Sequence, residues 1–94
     1  MERQQISVTL PVLHLNGSGK DRLIDALLEA ATVLREAQEK VAVTAPNARD
    51  FYPRGPEALR QATTEHEERL RRLRDTADEI EALAIGISDG GWRA

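Results

Sequence analysis

The sequence predicts a mainly α protein: an antiparallel hairpin of two long helices with a short amino-terminal edge strand, assembling into an oligomeric helical bundle. Three observations predict it. Apolar residues recur every three or four positions over two long stretches, a proline-rich connection separates those stretches, and the apolar stripe is wider than one partner helix covers. With 94 residues and no cysteine, the chain makes one small domain, 1–94, with neither a disulfide framework nor a thiolate metal cage.

The first element is the strand, expected over residues 6–15. Ile6, Val8 and Leu10 alternate, Pro11 interrupts, and Leu13 and Leu15 resume one step out of phase. Proline donates no ladder hydrogen bond, so the segment belongs at an edge or carries a bulge. It is the only strand candidate. Its backbone groups must therefore meet the same strand of another copy, lie along the helices, or stay unordered.

Helix one is expected over about 19–45. Ser18 suits the N-cap, and Asp21 puts negative charge in the first turn, where the helix dipole favours it. Leu23, Leu27, Ala30, Leu34, Ala37 and Val41 then form a heptad seam, widened by Ile24, Leu28 and Ala31 beside it. Pro46 disfavours helix at the residue before it and ends the element. After a connection over 46–55, helix two is expected over about 56–87. Pro56 suits its first turn, and Leu59, Ala62, His66, Leu70, Leu73, Ala77, Ile80, Ala84 and Ile87 line one face. A glycine-rich tail with Trp92 fills 88–94.

Helices of about 30 residues are roughly 45 Å long, far longer than a globule of this size is wide. Two of them hide one stripe each, and the flanking apolar side chains stay wet in a lone copy. At about 25 cal/mol per Å², even about 400 Å² of such surface represents roughly 10 kcal/mol before entropy is subtracted. The chain is therefore expected to partner itself, as a dimer or higher homo-oligomer.

Several function classes drop out. A net charge of −3 argues against a duplex-nucleic-acid partner, because phosphate neutralisation supplies most nonspecific affinity. No stretch approaches the roughly 20 apolar residues of a membrane span, and the amino terminus has no leader-like pattern, so a cytoplasmic location is expected. Two widely separated histidines make no metal site, and His14, Asp50 and Glu65 have no triad or acid–base spacing. No catalytic residue, metal or cofactor is expected.

Two segments carry ligand chemistry instead. The turn from Asn16 to Lys20 enters a helix and exposes backbone N–H groups, with Asn16, Ser18 and Lys20 as candidate anion contacts. It is not a triphosphate loop: His14 stands where the leading glycine belongs and Asp21 where the magnesium-binding hydroxyl belongs. The connection is more unusual. It holds two of the three aromatics, Phe51 and Tyr52, among Asn47, Arg49 and Arg54. Such a set stacks on a flat ring, grips phosphate oxygens and hydrogen-bonds a base edge. The competing role is structural, with Phe51 plugging the end of the bundle while Arg49 and Asp50 tie the turn.

Elsewhere, Arg69, Arg71, Arg72 and Arg74 lie among Glu65, Glu67, Glu68, Asp75, Asp78, Glu79 and Glu81, which reads as a salt-bridged solvent face; the competing idea is that several copies bring these arginines together around a shared pocket for an anion. His66 sits on the apolar seam, where Thr63 or Glu67 is the expected local partner.

The wording of His14-Leu15-Asn16-Gly17, of Ala45-Pro46-Asn47 with Arg49-Asp50-Phe51-Tyr52-Pro53 and Gly55-Pro56, and of His66 in an acidic helix resembles small bacteriophage- and prophage-encoded proteins. No established activity comes with the resemblance. It implies a setting, the bacterial host cytoplasm, where small proteins of this kind sequester nucleotide immune signals or block host proteins. The function expected first is thus a non-enzymatic oligomer that binds a small anionic ligand such as a nucleotide. The alternatives are a protein–protein interaction module and a structural or assembly component.

Overall fold

A computed structural model describes residues 6–13 and 18–91. The described residues are mainly helical: α1 (Ser18–Ala42), a single-turn α2 (Ala48–Phe51), a 3-10 turn (Tyr52–Arg54), α3 (Pro56–Gly86) and a wide closing turn (Ile87–Gly91).

Local chemistry explains the boundaries. Asp21 sits in the first turn of α1 and Lys40 in its last, each opposing the local end of the helix dipole. The helix stops at Ala42, short of the expected 45. The Thr44 hydroxyl and N–H both donate to the Val41 carbonyl, at 2.7 and 2.9 Å, and the Ala45 N–H donates to that of Ala42, which closes the last turn. The connection is not a plain loop. Asn47 caps α2, its side-chain oxygen accepting from the Asp50 N–H at 3.0 Å while its Nδ2 donates to the Asp50 carboxylate at 2.9 Å. Gly55 then turns the chain into α3 with φ 94° and ψ 166°, a conformation essentially confined to glycine.

The two long helices pack lengthwise. Arg35 donates to Asp78 at 2.8 Å and also to Glu81, while Val41 lies beside Leu73, so rising positions on α1 meet falling positions on α3. Very little is fully covered: Ala31, Ala77, Ala84, Ile87 and His66 are the buried described residues. Small residues at the contact let the backbones approach closely, but they hide little area. Leu23, Leu27, Leu34, Leu59, Leu70, Leu73, Ile80 and Leu83 are all only half-buried.

Two expectations are corrected here. On α1, Ala31 rather than Ala30 enters the contact, and Ala30 is exposed. A straight helix of about 3.6 residues per turn drifts off a strict heptad within a few turns, which moves the contact by one position. The expected edge strand is the second. Residues 6–13 form no strand, and residues 14 and 15 lie outside the described chain. Among the described residues there is no strand for it to pair with, and Leu10 lies against α3 instead. Gly86 makes room for it, since a Cβ there would stand 2.8 Å from Cδ2 of Leu10.

The result is a rod with extents of 61 × 25 × 20 Å and a radius of gyration of 18.6 Å, against about 12 Å for a compact domain of this length.

Candidate functional site

The candidate ligand residues fall into two groups at opposite ends of α1. Asn47, Arg49, Phe51, Tyr52 and Arg54 occupy α2 and the 3-10 turn just beyond its carboxyl end. Lys20, half-buried, is in its first turn, and Ser18 is its first residue; Asn16 lies outside the described residues. A 25-residue helix spans about 37 Å, so the two groups do not share a site within one chain.

Within the connection, helical geometry sorts the side chains. Phe51 turns inward and is half-buried, Tyr52 is 86% exposed, and Arg49 and Arg54 are exposed. Neither arginine has an ion-pair partner among the described residues, so both are open to solvent in the same short segment as the exposed Tyr52. Asn47 is the exception. Its amide bonds Asp50 through both its oxygen and its nitrogen, which holds α2 and leaves one N–H and one oxygen lone pair of the exposed amide open. The signal was in the sequence: asparagine followed three residues later by an acidic residue is a helix-capping pattern.

The residues weighed for acid–base work do not converge. Asp50 is held by Asn47, Glu65 accepts from the Gln61 amide at 3.2 Å, and His14 lies outside the described residues. His66 is 5% exposed on the inner face of α3. The Thr63 hydroxyl donates to the Leu59 carbonyl at 2.9 Å, which commits that hydrogen to the helix backbone and not to the imidazole. Among the described residues no cluster of three or more His, Asp or Glu side chains is arranged to hold a metal. No described helix is long and apolar enough to cross a membrane.

The arginines of α3 separate into two kinds. Arg71 pairs with Glu68 at 2.6 Å and Arg74 approaches Asp75 at 3.7 Å, as a salt-bridged face requires. Arg69 and Arg72 have no such partner among the described residues, and they line an open cleft of about 330 Å³ with Val41, Leu73 and Thr76. Sequence alone could not find this cleft, because Val41 reaches it from the other helix.

The Arg35 guanidinium is held above its ordinary value, chiefly by its hydrogen bond to Glu81 and then by that to Asp78. It joins the two helices and reads as a positioning clamp. No protein-family model, curated protein or solved structure matches the chain.

Proposed function

We propose that this chain is a non-enzymatic binding protein that works as a homo-oligomer of helical hairpins and holds a small anionic ligand between copies. The observation that carries the self-association is exposed area. The chain exposes 7572 Å², whereas a compact monomer of its mass exposes about 5,400 Å². The excess is roughly 2,000 Å², and a stable interface takes about 800 Å² from each partner. The half-buried leucines supply the apolar part, and Leu28 and Val33, 43% and 55% exposed, flank it on either side of α1.

Association also supplies what one chain lacks. If two rods lie side by side in opposite directions, the connection of one copy stands next to the start of α1 in the other. Arg49, Tyr52 and Arg54 then stand across one crevice from the first turn of α1 of the second copy, which carries Lys20. Exposed arginines would take the charge and the tyrosine ring would stack, a pairing suited to a nucleotide. In the phage setting that the sequence resembles, such a ligand is an immune signal and the protein a sponge that lowers its concentration.

Titration calorimetry of the purified protein against cyclic di- and trinucleotides tests the reading. Saturable binding that is lost in Arg49→Ala and in Tyr52→Ala supports it. Flat titrations across the panel with a well-folded oligomer would remove the ligand. A dominant protein captured from bacterial lysate and indifferent to both substitutions would favour the interaction-module alternative.

A further inference from the structure

The cleft beside Arg69 and Arg72 has a composition that the proposed function does not use. Its wall is apolar, made by Leu73 of α3 and Val41 of α1, both half-buried. Its lining also includes Arg69 and Arg72, both exposed and three residues apart on one helix, hence on the same side and separated by about 5–6 Å at their Cβ atoms. Thr76 completes the lining, with its hydroxyl hydrogen committed to the Arg72 carbonyl at 2.8 Å. Carboxylates are close along the same helix, at Glu65, Glu68 and Asp75. Glu68 and Asp75 are engaged by Arg71 and Arg74, and Glu65 by Gln61, so Arg69 and Arg72 keep their donors open.

Two exposed arginines next to an apolar wall select a particular kind of molecule. An inorganic anion would meet the charge but leave the Val41–Leu73 surface uncovered. A neutral apolar molecule would cover that surface and leave two arginines without a counter-charge. At about 330 Å³ the cleft is at the lower end of the range for small-molecule sites, enough for one ring or a short aliphatic chain. We propose that this cleft binds a small organic anion, with an aryl or short alkyl body on Val41 and Leu73 and a phosphate or carboxylate head on Arg69 and Arg72. The site lies about 20 Å along α3 from the Pro56 end, and it does not depend on the ligand proposed for the connection.

The test uses the full chain in an amide-resolved nuclear magnetic resonance titration with three probes: phenyl phosphate, benzoate and inorganic phosphate. Phenyl phosphate is expected to move the resonances of Val41, Leu73 and Thr76 and to bind about tenfold or more tightly than inorganic phosphate. Benzoate binding alongside it would assign the site to both head groups; benzoate silence would narrow it to phosphates. Arg72→Ala is expected to weaken phenyl phosphate about tenfold, Arg72→Lys less, and Arg71→Ala less than about twofold, because Arg71 is already paired. Equal affinity for inorganic and phenyl phosphate would overturn the proposal, as would an equal loss in Arg71→Ala. Shifts confined to residues 47–54 would overturn it while leaving the connection reading intact. Dissociation of the oligomer by Arg72→Ala with no ligand-induced shift would show that the cleft is a subunit contact, and the proposal would fall.

Discussion

Gly55 has no atom within 4 Å of where a Cβ would stand, so space alone would permit any small side chain there. Its backbone does not. At φ 94° and ψ 166° it occupies a region that costs a side-chain-bearing residue about 1–3 kcal/mol. Gly55→Ala is therefore expected to lower stability by about that much in urea denaturation, although it removes no contact. Asn47 makes the opposite case, since its role is entirely in its side chain. Asn47→Ala removes the cap of a four-residue helix, at a cost of about 1 kcal/mol, and native-state hydrogen exchange at the Asp50 amide should quicken several-fold. The sequence offers Asn47 as a candidate ligand contact and Gly55 only as the end of the connection. Their roles were not equally legible, because the same asparagine serves as a cap or as a ligand contact and only its partner decides which.

The long helices were legible because each carries an unbroken three-and-four periodicity, and Pro56 begins α3 where a first-turn proline belongs. Local rules fail where the neighbour decides: which of Ala30 and Ala31 enters the contact, and whether residues 6–13 find a ladder partner. The contact between α1 and α3 depends on small side chains. Ala77 is fully buried there, and Ala77→Leu is expected to force the helices apart and cost about 1–3 kcal/mol, read from urea denaturation at fixed protein concentration. Arg35 ties the same two helices with three side chains that are each more than a third exposed, so Arg35→Met should cost only about 1 kcal/mol. The sign of its pH dependence follows from its raised value. With both carboxylates ionised, the contribution is complete below the ordinary arginine range and on the alkaline side is lost as pH rises through the folded value, in strong alkali. Between pH 6 and pH 9 the cost should not change, whereas molar salt should reduce it.

Taken whole, the chain is a rod whose covered core is three alanines, one isoleucine and one histidine among the described residues. The breadth of the apolar stripe announced this in the sequence, since no arrangement of two helices hides leucines on more than one side of each. The candidate ligand residues were legible as residue types, but their separation to opposite ends of α1 was not, because chain order says nothing of end-to-end distance until the helix lengths are known. That separation makes the proposed crevice depend on a second copy. Sedimentation equilibrium at micromolar concentration tests this most directly. A mass of two or more times 10.4 kDa is the expected result, and a stable, fully folded species of 10.4 kDa would contradict it.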